Sequence, residues 1–411
     1  MQVEMLNRSI NIISLFWDLA VSWVLNMLGL SRAKRFKLGE EIGTQLGEVK
    51  SILLFGYMGM GDAVMFEPTL TSIIKRFPNS DFDLIVGSGS QSRAILENIL
   101  SEQNRSFRSV INADFKSLTR KERLDLNRAL RRKSYDMCIA VYTTPLQYFV
   151  KAIDSIPIRV GHLIRAQSWY KPRPNYLFNL GRKVDQEIDE REPFRHFRLA
   201  QAIGIQSPDL PIPRIVISKN GLEWAHTFLL QNNLQDAELI GVHLGVSRAM
   251  AWKKWSDDKY AEVFSQLAQP NRHFLFFGSA DELQEIERAS KGVKDQATVF
   301  AGTLEIMEVG AILKHCSLLI GNDSGIGHLS VALDIPTFRI FGPSDKYGCE
   351  PMTAGHTILA KNLTCSPCMN LGLIKPGYNV LNCGHRNCLQ LIAVPEVLGS
   401  IQELIENPRA K

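Results

Sequence analysis

The stretch Cys316–Asp345 constrains the fold more than any other part of the chain. It reads CSLLIGNDSGIGHLSVALDIPTFRIFGPSD. An apolar strand over Ser317–Ile320 gives way to a polar turn, Gly321 to Gly325, and a short helix runs through His328 to Leu333. Pro336, a second apolar strand over Thr337–Phe341 and the turn Gly342 to Asp345 complete it. Continuous apolar runs of this kind belong to parallel strands covered on both faces by helices. Where such a strand breaks into Gly, Asp and Ser and opens a helix, unpaired N–H groups and the positive end of the helix dipole converge. A phosphate binds readily there. A capped helix in any βαβ unit gives the same pattern, so the rest of the chain has to decide.

The same grammar recurs twice. Val49–Phe55 is a buried-strand run ending in Gly56-Tyr57-Met58-Gly59-Met60-Gly61-Asp62, then a helix over Ala63–Phe77 closed by Pro78. Strands over Phe82–Val86 and Met137–Tyr142 follow. After the proline-rich Ser207–Pro213 the pattern restarts at Leu239–His243 with a glycine turn, Leu244 to Ser247, and a helix reaching about Leu267. His273–Phe277, the turn Gly278 to Glu282, Ala297–Phe300 and a helix over Glu305–Leu313 lead into the opening stretch. A chain of 411 residues exceeds a single core,. The expectation is α/β, with two Rossmann-like domains over 46–213 and 214–394. They are flanked by an N-terminal helix and basic linker over 1–45 and a final helix over 395–411 that packs back toward the first domain.

The glycine turn after the first strand excludes two cofactor readings. Its glycines run G-x-x-G-x-G rather than G-x-G-x-x-G, and no acidic residue closes the second strand, so NAD binding is disfavoured. Asp62 stands after Gly61 where a P-loop needs Lys, which disfavours nucleotide hydrolysis. What the turn offers is a carboxylate, Asp62, fit either to act as a general base on an approaching hydroxyl or to cap the helix. A net charge of +5 suits anionic small ligands or an anionic surface and falls short of a nucleic-acid binder,.

At the N-terminus, Asn7–Gly29 combines a broad apolar face with a polar stripe at helical spacing (Asn11, Ser14, Asp18, Ser22, Asn26), and Arg32, Lys34, Arg35 and Lys37 follow,. Asp18 would sit at the centre of a spanning helix, at high cost. Residues 7–37 are therefore expected to lie in the plane of an inner-membrane surface, with packing on protein as the alternative. Arg120–Lys133 reads as a helix with a solvated basic face, or one that binds an anionic acceptor,.

Four patches taken together resemble glycosyltransferase family 9, the heptosyltransferases of lipopolysaccharide core assembly. They are Ile52–Pro78, Gly241–Tyr260 (with its WKKWSDDKY), the turn Phe276–Glu282 and Leu318–Asp345. The resemblance implies a GT-B fold, two Rossmann-like domains facing across a cleft. It also implies an inverting transfer of heptose from an ADP-sugar to a sugar hydroxyl, with no cofactor needed for catalysis. Matched to the family's motifs, Asp62 is the base and Lys253 the cation for the departing diphosphate. Ser247 lies near the phosphates, Asp323 bonds sugar hydroxyls, Ser324 and Gly325 cradle phosphate, and His328 completes that motif. Glu282 and Ile306 match positions lining the ribose and adenine. The implied partners are a nucleotide-sugar donor and a glycan or glycolipid acceptor, and the implied location is cytoplasmic, on the inner face of the membrane. Ser256 stands where the family has proline, and the first ~45 residues lie outside its better-known members. The Asp81-Phe82-Asp83 triplet precedes a strand rather than ending one, which sets aside the metal-binding D-x-D of the other glycosyltransferase fold. A silent GT-B relative acting as a binding or scaffold subunit is the alternative, and the presence of Asp62 and Lys253 favours the enzyme.

Cys365, Cys368, Cys383 and Cys388 form two pairs at metal-ligand spacing with His385 between the second two,. A structural Zn or Fe ion, reduced thiols and a disulfide are all compatible with that pattern.

Overall fold

In the computed structural model, the described residues are 17–25, 27, 32, 45–115, 117–142, 144–164, 178, 180–184, 190–206, 210–246, 248–370, 373–374 and 383–407. Two compact units divide the chain. The first takes residues 1–188 and 193–211, the second residues 189–192 and 212–411.

The first unit is built on a six-stranded parallel sheet of β1 (Ser51–Phe55), β2 (Asp81–Val86), β3 (Ser109–Asn112), β4 (Met137–Ala140), β5 (Ile158–Ile164) and β6 (Leu180–Val184). Its order is β3-β2-β1-β4-β5-β6. The chain starts in the middle, runs out to one edge and returns to build the other, so the crevice above the carboxyl ends of β1 and β4 is the unit's switch point. All five residues of β1 are buried, as a central parallel strand requires,.

One expected helix is two. Helix α2 (Met60–Met65) and helix α3 (Glu67–Arg76) meet at Phe66, with Pro68 in the first turn of α3. Proline lacks an N–H and its ring crowds the carbonyl four residues back, so a continuous helix through Pro68 is broken there. Asp81 and Asp83 open β2. Asp83 is fully buried and bonded by Arg108, Lys133 and the Tyr135 hydroxyl at 2.6–3.0 Å, a structural ion network.

The second unit repeats the architecture with β7 (Glu238–His243), β8 (Arg272–Gly278), β9 (Ala297–Ala301), β10 (Leu318–Asn322), β11 (Thr337–Phe341) and β12 (His356–Ala360), in the order β12-β11-β10-β7-β8-β9. Here the switch point lies between β7 and β10, paired Ile240 to Leu318 through His243 to Gly321. The final helix, Val394–Glu406, buries Val397, Leu398, Ile401 and Leu404 in this unit's own core with Phe264, Ile340 and Ile392. The sequence expectation placed it toward the first domain; its apolar face is spent on the second.

Residues 17–25 form helix α1, and most of the remaining N-terminal segment lies outside the described residues. No helix among the described residues is long and apolar enough to cross a membrane.

Candidate functional site

The second unit gathers most of the expected donor residues at its switch point. β10 delivers Asn322 and Asp323 at its carboxyl end, and Ser324 caps helix α4 (Gly325–Ala332), accepting from Gly327 N at 3.4 Å. Gly325 opens that helix, so its N–H is among the first-turn donors that have no acceptor within the helix,. Lys253 arrives from the loop after β7 and places Nζ 2.5 Å from Asp323 Oδ2. His328 Nε2 lies 3.9 Å from the other carboxylate oxygen.

Burial alone would raise the Asp323 carboxyl. The Lys253 ammonium outweighs it and holds the group below the usual carboxylate range,. Burial, helped by the Arg339 guanidinium, lowers His328 to about 3, so its ring is neutral. The turn therefore carries a fixed anion and a fixed cation side by side.

Three contributors were not singled out from sequence. His243, the last residue of β7, sets Nδ1 3.0 Å from Ser324 Oγ, and burial lowers it to about 4. Asn322 is fully buried: its amide donates to Leu244 O at 2.8 Å and its oxygen accepts from Trp255 N and Tyr260 Oη. It ties the β7 loop to the β10 turn. Arg339 lies buried in β11, read from sequence only as an apolar strand, with Nη2 donating to Cys349 O at 3.3 Å. The signals available were position at a strand's carboxyl end for His243 and a charge inside an apolar run for Arg339.

Glu282 joins from the turn after β8. Its Oε2 accepts from Ser279 N at 2.7 Å, and its Oε1 stands 2.0 Å from where a Cβ on Gly245 would be. Glycine at 245 lets the two loops meet. Ile306 is buried at the start of its own helix, Ile306–Leu313. Ser247 lies outside the described residues.

Asp323, His328 and Cys349 bring ligand-type atoms within 4.8 Å of one another. The Lys253 ammonium and the Arg339 guanidinium already compensate this group. A divalent cation would meet two fixed positive charges, which argues against a metal there.

In the first unit, Asp62 sits half-buried at the third position of α2, just past the carboxyl end of β1. Its Oδ2 accepts from Gly59 N at 3.1 Å. Asp62 is not itself the N-cap: Gly59 holds that position, and Asp62 caps the helix from its third residue.

The four cysteines lie late in the second unit, Cys365 and Cys368 in the loop after β12, Cys383 just before the short helix Asn387–Gln390 and Cys388 within it. Burial pushes the Cys388 thiol up to about 11, and the charges of Cys368, Cys383 and Cys365 push the same way. Backbone N–H groups of Arg386 and His385 favour the Cys383 thiolate. Among the described residues, three or more ligand-type atoms come within 4.8 Å of one another only at Asp323, His328 and Cys349, so the four sulfurs are not drawn into a closed site here, although their type and spacing suit a thiophilic ion,. The loop also braces the site. Ser366 Oγ donates to Gly342 O at 2.8 Å, Cys368 N to Pro343 O at 3.1 Å, and Cys368 packs on Trp252 beside Lys253.

The sequence profile of glycosyltransferase family 9 (heptosyltransferase) matches residues 123–378. Lipopolysaccharide heptosyltransferase 2 of Salmonella typhimurium is 24% identical over 310 residues, covering 74% of this chain and 85% of that protein. Among solved structures, E. coli ADP-heptose lps heptosyltransferase II superposes with a TM-score of 0.65 at 20% identity, over 87% of this chain and 99% of that one. E. coli heptosyltransferase WaaC with ADP superposes at 0.58 and 18% identity, over 86% of this chain and 99% of its own. These likenesses establish the GT-B fold.

Proposed function

The chain belongs to glycosyltransferase family 9, the heptosyltransferases, and from that premise we propose that it moves a heptose from ADP-heptose to a sugar hydroxyl of lipopolysaccharide core or a related surface glycan, with inversion. The observation that carries this reading is the Lys253–Asp323 pair beside the opening of α4 at the switch point of the second unit. A nucleotide diphosphate needs cations and free amides, and a sugar needs a fixed hydroxyl acceptor. This turn offers both. The relative of the same fold solved with ADP carries the nucleotide proposed here.

The chemistry follows from the groups. The acceptor oxygen attacks the anomeric carbon as the bond from that carbon to the β-phosphate oxygen breaks, and Asp62 takes the acceptor's proton. Negative charge grows on the departing ADP, where Lys253 and the first amides of α4 stabilise it more strongly than in the ground state. Asp323 orients the donor sugar, Ser324 and Gly325 hold phosphate, and His328, neutral, stays out of proton transfer. Ser247 completes the phosphate contacts, and Glu282 and Ile306 border the ribose and adenine. Transfer needs no metal. The donor is drawn from the cytoplasm.

We also assign a structural Zn or Fe ion to Cys365, Cys368, Cys383 and Cys388, bracing the Gly342–Pro343 turn. Metal analysis of purified protein should give about one ion per chain, lost in Cys383→Ser. A metal-free native chain would end that assignment.

Calorimetry with ADP-, UDP- and GDP-sugars, followed by mass spectrometry of transfer to lipid A–Kdo acceptors, tests the main proposal. ADP-heptose should bind and be consumed. Absence of binding to any ADP-sugar overturns it, and binding without transfer to any acceptor points to the silent relative.

A further inference from the structure

Helix α1 is docked with its polarity reversed. Asp18 and Ser22 are 8% and 1% exposed, whereas Trp17 and Trp23 are 71% and 50% exposed. Val21, Val24 and Met27 are exposed with them, as is Ala20. At 100° per residue these six side chains fill one continuous arc of about 160°, and Asp18, Ser22 and the half-buried Leu19 fill the arc on the protein. A helix whose outer face meets only water carries the opposite arrangement.

The inward face explains the orientation. Asp18 Oδ2 accepts from the Arg123 guanidinium at 2.9 Å, a pair in which both side chains are almost fully buried, and Lys151 Nζ reaches Asp18 Oδ1 at 3.0 Å. Arg123 is the one buried arginine of the basic helix Arg120–Arg132. Rotating α1 to hide its tryptophans would pull Asp18 off both cations and take this carboxylate from the buried Arg123 guanidinium, which is costly,. The polar clasp therefore holds the apolar arc outward.

We infer that this outward arc is a docking surface for an anionic lipid bilayer, with α1 lying in the plane of the headgroups. Two tryptophans with aliphatic neighbours match the depth at which amphipathic rings partition. Charge selects the kind of surface. Arg32, Lys34, Arg35 and Lys37 follow α1 in sequence, Arg32 is exposed, and Lys151 beside Asp18 is half-exposed. A second copy of the chain would bring the same cations to a two-fold contact, where they repel; anionic headgroups attract them. The inference is independent of the transfer reaction and of the donor assignment.

The test uses the full chain and vesicles of phosphatidylcholine with or without phosphatidylglycerol. Co-sedimentation should be stronger on the anionic vesicles by on the order of tenfold or more at low salt, and weaken as salt rises. The double variant Trp17→Ser/Trp23→Ser should lose on the order of tenfold or more of that binding with its unfolding temperature unchanged. Brominated lipid should quench tryptophan fluorescence in the native chain, an arm that needs no variant. Equal binding by native and double variant overturns the proposal, as does binding indifferent to phosphatidylglycerol or the absence of quenching. A native dimer that the double variant converts to monomer, with no vesicle binding, also overturns it and assigns the arc to a second copy.

Discussion

Lys253 Nζ lies 2.5 Å from Asp323 Oδ2, with the two side chains 16% and 7% exposed. The pair bridges the loop after β7 and the turn after β10, so the cation proposed for the departing diphosphate and the acceptor proposed for the donor sugar hold each other. Removing one partner strands the other in a buried place. Lys253→Met should lower kcat by about 10²-fold through loss of leaving-group stabilisation, and destabilise the second unit by about 2–3 kcal/mol. In the double variant with Asp323→Asn the stability losses should be less than additive, because the second change removes the stranded charge. Urea unfolding of the four proteins measures this, and strict additivity would mean that the pair is not coupled.

Asp62 bonds Gly59 N at 3.1 Å, which separates two effects of its loss. Asp62→Asn keeps an acceptor for that amide, so stability should change by less than about 1 kcal/mol. As the base, the same change should cut kcat by about 10²–10⁴-fold with little effect on donor affinity. Transfer rates and ADP-sugar calorimetry on one preparation decide it. An unchanged kcat would remove Asp62 from proton transfer.

Strands β1, β2, β4 and β7 to β11 and the switch-point turn were legible because apolar runs ending in glycine turns are local signals, whereas β3, β5, β6 and β12, on the outer side of each sheet, were not read. Strand 318–322 and helix 325–332 fall within two residues of their reading. What the sequence did not show depends on partners far along the chain. Asn322 matters because it meets Leu244, Trp255 and Tyr260, and His243 because β7 pairs with β10. The N-terminal stripe was legible as amphipathic, but that its polar side faces protein is decided by Arg123, 105 residues downstream of Asp18, together with Lys151. The final helix was assigned to the wrong unit for the same reason: periodicity reveals an apolar face and is silent about the surface that receives it.

Gly321 and Gly399 make a matched contrast. A Cβ on Gly321 would stand 2.3 Å from the backbone oxygen of His243, whereas Gly399 has nothing within 4 Å. Gly321→Ala has to push β7 and β10 apart at the switch point, which should cost about 1–3 kcal/mol and weaken donor binding by displacing Asp323 and His243. Gly399→Ala, in an exposed position of the final helix, should stabilise by about 0.5–1 kcal/mol. Thermal unfolding of both variants is the check, and a neutral Gly321→Ala would show that the strands give way freely.

Five histidines make stability sensitive to mild acid. Burial is the leading cause in every case. It lowers His162 to about 3 and His196 well below its ordinary value in the first unit. In the second it lowers His243 to about 4, His328 to about 3 and His356 to about 4. Each ring is neutral when folded and free to protonate near 6.5 when unfolded, so below that pH the unfolded chain binds protons that the folded chain refuses. Their contribution is complete above about pH 6.5 and drains as pH falls toward 4, by about 2 kcal/mol per ring at pH 5. Asp83, held at about 2 against burial by bonds from Arg108, Lys133 and Tyr135, adds its own loss only below about pH 4,. Urea midpoints should therefore fall steeply between pH 7 and pH 5, before carboxylates titrate. Both ring nitrogens of His162 lack a hydrogen-bond partner among the described residues, so His162→Leu should flatten the curve for the first unit without removing a bond. A midpoint constant from pH 7 to pH 5 in the native chain would mean that these rings protonate in the folded state.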